Sequence, residues 1–309
     1  MNFSFRYLLL PVAFLIAGTA ANAQFPNEKF GKPSSMDWDF VGGKEAVGAD
    51  AIILCKTMKV TYELSDQVFN FNQSSSDISA ANLTDFGKND IDKSNVIVRY
   101  EVRLRTKILN PRGARHAHID ITYYNTDDDK SDNNDALTDL KIKVFTKNVK
   151  GKVVKRNIET KSFVRERVDD NYVVLHVAVP NVEVGSIIEY QYNISSIRST
   201  FLYDWVFQDC IPTVLSKCDI EIPSFLQFNM NTPIHKRIKS SVEAGRLAYD
   251  INRPDLKKGK SCPTNHYVIE GNYILPDDPE IANFNSRINM PHVTLPVYMP
   301  KGFTHLKIQ

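Results

Sequence analysis

Hydrophobic and polar residues alternate with a period of two along most of this chain. From Val96 to Ile108, the residues Val96, Val98, Tyr100, Val102, Leu104 and Ile108 interleave with Arg99, Glu101, Arg103, Arg105 and Lys107. Such a segment is a strand with one buried and one solvated face. The same alternation recurs at Met58, Val60, Tyr62 and Leu64, at Ala117, Ile119, Ile121 and Tyr123, and at Leu140, Ile142 and Val144. It returns at Val173 to Val179, at Ile188 to Ile194 and at Cys218, Ile220 and Ile222. Reversals between these runs coincide with Asn110-Pro111-Arg112-Gly113, Lys150-Gly151-Lys152 and Asn181 to Gly185, where Pro, Gly and Asn supply the backbone angles that tight turns need. The pattern predicts a mainly β protein, a large antiparallel β-sandwich with long loops and few short helices.

Three stretches break the alternation. Residues 24–50, with Pro33, Gly42, Gly43 and Gly48, read as an N-terminal arm holding one helical turn near Met36 to Phe40. Residues 66–93 are rich in Ser, Asn and Asp and read as an exposed loop. After Asn231 the pattern weakens, through Cys262 in a Lys/Gly/Ser-rich loop to the prolines at 276, 279, 291, 296 and 300. The expected organisation is a β-sandwich domain over 51–230, with 231–309 continuing it as an irregular Pro-rich segment.

The first residues point to a compartment. Arg6, the apolar run Leu8 to Ile16 and the small residues Ala21-Asn22-Ala23 have the layout of a secretory signal peptide over 1–23. The apolar run is well short of the roughly 20 residues that span a bilayer, and no later run is long and apolar enough. The mature protein is expected to begin at Gln24 and to be periplasmic or secreted, without a transmembrane segment.

Charge and candidate chemistry narrow the function by exclusion. With 38 basic and 36 acidic residues the chain lacks the basic excess that phosphate neutralisation demands, so no nucleic-acid partner is expected. In an exported protein Cys55, Cys210, Cys218 and Cys262 permit up to two disulfides. A Cys210–Cys218 bridge and buried free thiols are both open. Cys262 followed by His266 is the nearest approach to a Cys/His pair, and no third orienting motif accompanies it. Asp127, Asp128, Asp129, Asp132 and Asp135 lack the spacing of an EF-hand loop and read as a solvated acidic loop. His116 and His118 flank Ala117 on a strand and could chelate a metal, but without a third ligand nearby in sequence solvent exposure is favoured. Tyr203, Trp205 and Phe207, with Asp204 and Gln208, could grip a glycan or peptide; alternate aromatics closing the sandwich are the preferred reading. No catalytic, cofactor-binding or metal-binding residue is assigned.

Several runs in combination resemble the domain-of-unknown-function family 3857. They are Arg105 to Gly113, Ile119 to Tyr124, Val149 to Lys155, Val179 to Tyr192, Asp204 to Gln208 with Ile211-Pro212, and Ile220 to Pro223. The resemblance covers roughly residues 50–230. It implies an exported Bacteroidetes-type protein whose β-rich domain commonly precedes a transglutaminase-like domain carrying a Cys nucleophile with His and Asp. Here the chain stops at Gln309, roughly where that domain would begin, and none of the four cysteines has a helix-opening context that lowers a thiol pKa. The expected function is an exported non-catalytic binding or scaffolding module of the cell envelope, without a cofactor. Its expected partners are a protein, peptide or glycan, including a transglutaminase-like enzyme. The alternative is the N-terminal non-catalytic portion of a transglutaminase-like cysteine peptidase or acyl transferase whose catalytic domain is absent from this chain.

Overall fold

The structure is a computed structural model and describes residues 29–41, 46–64, 96–126, 134–159, 163–198, 202–224, 226, 235–249, 260–276 and 287–288. The expected signal peptide over 1–23 and the whole of the 66–93 stretch lie outside these residues. In chain order the elements are α1 (Ser35–Asp39), β1 (Ala51–Leu64), β2 (Val96–Ile108), a 3-10 turn (Pro111–His116), β3 (His118–Tyr124), β4 (Ala136–Lys147) and β5 (Val153–Asn157). They continue with β6 (Phe163–Arg167), β7 (Tyr172–Ala178), β8 (Ile187–Ser196), β9 (Trp205–Val206), β10 (Thr213–Pro223), β11 (Ile238–Tyr249), β12 (Lys260–Ile274) and β13 (Arg287–Ile288). An eight-stranded sheet has the order β11-β12-β10-β1-β2-β8-β4-β5, and a three-stranded sheet the order β3-β7-β6. A short β13-β9 ladder completes the described sheets.

The alternation seen in the sequence sorts residues between faces as a half-buried sheet requires. Met58, Val60 and Tyr62 of β1, Val98 and Tyr100 of β2, Ile194 of β8, and Cys218, Ile220 and Ile222 of β10 form one buried cluster with Tyr123 and Val173 of the small sheet. A second cluster joins Ile119, Ile121 and Val177 to Ile142, Val144 and Ile188. The small sheet therefore covers part of the inner face of the large one. The connecting segment adds Leu202, Trp205 and Phe207 to the first cluster.

Two features depart from the expected antiparallel layout. Strands β1 and β10 pair in parallel at the middle of the large sheet, with Ile53 opposite Thr213 and Val60 opposite Ile220. Ile211-Pro212 brings the chain back beside the start of β1, where Ile53 donates its N–H to the Pro212 carbonyl at 2.9 Å. The sheet also runs on beyond residue 230. Cys262 lies within β12, opposite Leu247 of β11, and not in a loop.

The N-terminal arm packs on the other face of the large sheet. Ser34 caps α1, its hydroxyl accepting from the Asp37 N–H at 3.2 Å while Asp37 Oδ2 accepts the Ser34 N–H at 2.6 Å, a reciprocal capping box. That same Asp37 oxygen accepts from Arg105 Nη1 of β2 at 2.9 Å. Arg105 Nη2 donates to Glu189 Oε1 of β8 at 2.7 Å and to the Lys29 carbonyl at 2.9 Å. Glu189 in turn accepts the Gly31 N–H at 2.7 Å. Lys107 donates to the Trp38 and Phe40 carbonyls, and Trp38 and Phe40 pack against a third apolar cluster containing Ile52, Leu54, Phe145 and Ile187. Residues that read as the solvated face of β2 and β8 are thus covered by the arm, and Arg105 is only 2 % exposed.

Breaking this charge cluster leaves its remaining members buried and uncompensated. Arg105→Ala is expected to lower unfolding free energy by about 3–5 kcal/mol, read from urea denaturation, with the arm becoming sensitive to limited proteolysis near residues 29–41. Arg105→Lys restores little, because an ammonium cannot reproduce the fork that reaches both carboxylates.

Candidate functional site

The small sheet turns its second face outward. Along β3, Ile119, Ile121 and Tyr123 point to the core, so His118, Asp120 and Thr122 point away from it. On β7, Val173 and Val177 are buried, which places His176 on the outer side, directly opposite Asp120. Glu166 of β6 shares this face, diagonal to His176.

Four of these side chains, His118, Asp120, His176 and Glu166, converge. His118 Nε2 and His176 Nδ1 each lie 2.7 Å from the same oxygen, Asp120 Oδ1. The second nitrogen of His176, Nε2, lies 3.1 Å from Glu166 Oε2. The two imidazoles stack with centroids 5.7 Å apart and planes at 29°. One ligand atom from each of His118, Asp120 and His176 lies within 4.8 Å of the others, a spacing that a metal ion could bridge. The hydrogen bond to Asp120 is the main cause raising the His176 pKa above its ordinary value, opposed by partial burial and assisted by the Asp120 and Glu166 charges.

The structure separates His116 from this group. His116 ends the 3-10 turn and Ala117 is its cap, so the two histidines do not flank a strand residue on one face. The turn needs it that way: Asp50 anchors Asn110, Arg112 and Arg115, and a Cβ at Gly113 would stand 2.1 Å from the Asp50 carbonyl oxygen. The partner of His118 is His176, remote in sequence and brought beside it by strand pairing. A visible signal existed, since His118, Asp120 and His176 are all out of phase with the apolar positions of their strands. Only the register could show that they meet.

The remaining candidates are structural. Asp127, Asp128, Asp129 and Asp132 lie outside the described residues, whereas Asp135 is buried rather than solvated. It accepts from Arg198 Nη2 at 3.0 Å and from the Tyr203 hydroxyl. Tyr203 also accepts the Tyr124 N–H at 2.7 Å, and the Arg198 guanidinium sits 3.7 Å from the Tyr124 ring centroid. Trp205 is 8 % exposed and donates its indole N–H to Ser216 Oγ at 3.1 Å; Phe207 is also buried. Gln208 donates to the Leu275 carbonyl at 2.9 Å. The aromatic group therefore closes the sandwich and offers no open stacking platform.

A further buried cation lies inside the sandwich. Lys56 is in phase with Met58, Val60 and Tyr62, so its side chain enters the sandwich, where Nζ lies 5.6 Å from the Trp205 ring centroid and 3.4 Å from Asp209 Oδ2. Burial lowers its pKa, and Asp209 opposes that shift.

No disulfide joins Cys55, Cys210 and Cys218. Partial desolvation raises the thiol pKa of the exposed Cys210 and burial raises that of Cys218, with neighbouring Asp209 and Asp219 adding to each, which is the reverse of nucleophile activation. The side chain of Cys262 lies outside the described residues. His266 bonds to Asp219 Oδ1 at 2.9 Å, and four residues along β12 separate the Cα atoms of Cys262 and His266 by about 13 Å.

Fold and surface define a two-sheet β protein with a covered charged face and a compact His/carboxylate patch. The chain belongs to the family described as Domain of Unknown Function with solved-structure structure (DUF3857), whose model matches residues 97–260, more than half of its length. No curated protein matches the chain. Among solved structures it is similar to a candidate protease from Parabacteroides distasonis ATCC 8503, with 12 % identity and a TM-score of 0.42. That match covers 74 % of this chain, which spans 37 % of the length of the other.

Two measurements test these placements. In chelator-treated buffer, the His176 ring resonance should titrate with a midpoint above about 6.5, and Asp120→Asn should lower it. A raised folded pKa means that the stabilisation is fully present below the unfolded value and is lost as pH rises through the folded one. Trp205→Ala should cost about 3–5 kcal/mol of stability as a core aromatic; unchanged thermal unfolding would contradict its buried role.

Proposed function

We propose that this protein is an exported, non-catalytic binding module of the cell envelope that takes an extended peptide segment of a partner protein onto a sheet edge. The observation that carries the reading is the edge strand β11. Among the described residues its only strand partner is β12, along all of Ile238–Tyr249. Its residues are largely exposed, Val242 to 59 %.

The other edges are less suited to strand addition. Strands β5 and β6 have five residues each and carry Lys155 and Arg156, or Arg165, Glu166 and Arg167. Strand β3 has seven residues. Short, charged edges resist pairing with another chain, whereas a long edge offers a row of backbone donors and acceptors. Glycan binding through Tyr203, Trp205 and Phe207 loses its support, because their polar groups and faces are engaged inside the protein.

Export rests on the layout of residues 1–23, and work alongside a transglutaminase-like enzyme rests on the family resemblance. Among the described residues no helix is long and apolar enough to cross a membrane. The raised thiol pKa values at Cys210 and Cys218 favour a non-catalytic role for those two side chains. An enzyme partner could lie on a separate chain or on a continuation of this one.

The test is site-specific photocrosslinking in intact cells, followed by mass spectrometry of the envelope fraction. A crosslinker at Val242 should capture one partner protein that the same group at Val154 of β5 does not, and Ser240→Lys should abolish the adduct without lowering the thermal midpoint. Equal labelling at both positions would count against β11 as the docking edge. The recovered chain should begin at Gln24 and be absent from the cytoplasmic fraction, and its intact mass would show whether an enzyme domain follows.

A further inference from the structure

We infer that His118, Asp120 and His176 form a surface binding site for a divalent transition ion of the zinc class, with Glu166 holding His176 in its liganding tautomer. Two imidazole nitrogens and one carboxylate oxygen suit zinc, whereas calcium and magnesium select oxygen ligands. The convergence itself is the evidence. Side chains from two strands bring two ring nitrogens to 2.7 Å from one carboxylate oxygen. Ordinary zinc bond lengths place tetrahedral ligand atoms about 3.3 Å apart, so an ion requires an opening of roughly half an ångström. That adjustment lies within the freedom of outward-facing side chains on a strand.

The role of Glu166 follows from which nitrogen it touches. Its carboxylate accepts the His176 Nε2–H, with Nε2 and Oε2 3.1 Å apart, so that when an ion displaces the proton that Nδ1 shares with Asp120 the Nδ1 lone pair is the one left to bind it. A metal-bound histidine characteristically has such a carboxylate on its second nitrogen, and removing that carboxylate costs about 10–100-fold in metal affinity. Three protein ligands leave coordination positions for water or for a group on a partner, as open zinc sites do. The backbone supports the arrangement: Asp120 and His176 are directly paired across β3 and β7, so their relative position is set by the ladder.

The test uses the tag-free mature chain, treated with chelator and titrated with zinc chloride by calorimetry. One ion per chain is expected to bind. His118→Ala and His176→Ala should each abolish binding, and Glu166→Gln should weaken it by about 10–100-fold. His116→Ala should leave it unchanged, because that ring is on the 3-10 turn. Addition of zinc to the unaltered chain should shift the His118 and His176 ring resonances, a readout that does not depend on any variant folding. Absence of zinc binding, binding that survives the His118→Ala/His176→Ala double substitution, or shifts confined to other histidines would each overturn the proposal.

Discussion

The fork of Arg105 between Asp37 and Glu189 is the contact on which the arrangement of layers depends. A guanidinium removed from water is costly, and only close carboxylates with good geometry compensate it. Here one carboxylate comes from the large sheet and the other from α1. The requirement to neutralise Arg105 therefore fixes the arm against the sheet. Asp37 serves twice, closing the capping box with Ser34 and meeting the guanidinium. Helix formation and arm docking are coupled through one side chain, which explains how five helical residues persist when isolated helices of that length do not.

That coupling produces three layers with different chemistry. The arm covers charged positions on one face of the large sheet, the inner apolar clusters lie on its other face, and the small sheet closes part of that face. Because the small sheet has three strands and the large one eight, coverage is uneven. The aromatic connector fills space beside the small sheet, and Lys56 reaches the same region, held by Asp209. The far edge at β11 carries exposed side chains on both faces as a result.

Most of this frame could be read in the sequence, since strand periodicity reports which side chains face inward. Buried Val60, Tyr100, Ile121 and Ile220 all occupy predicted inward positions, and the aromatic group is buried as preferred. What periodicity cannot report is a second covering layer. Arg105 and Glu189 have the phase of solvated residues and become buried because the arm lies over them. Pairing partners are equally invisible: the parallel contact of β1 with β10 joins strands separated by most of the domain, and the meeting of His118 with His176 depends on register. Lys56 was legible in principle, as a cation in the apolar phase of β1.

The residues that carry the family resemblance fall mainly on the frame. Arg105 anchors the arm, Gly113 fits beneath the Asp50 carbonyl, Trp205 and Phe207 close the sandwich, and Ile211-Pro212 starts the parallel pairing. His118, Glu166 and His176 lie outside those runs, as does the β11 edge, whereas Asp120 lies within one of them. In this chain the frame leaves the outward face of the small sheet and the far edge of the large one outside its packing. Neither surface is needed to bury the core or to compensate Arg105. Residues that make a fold recognisable need not be the ones that carry function, and in this chain the two surfaces proposed to bind lie apart from the contacts that hold the layers together.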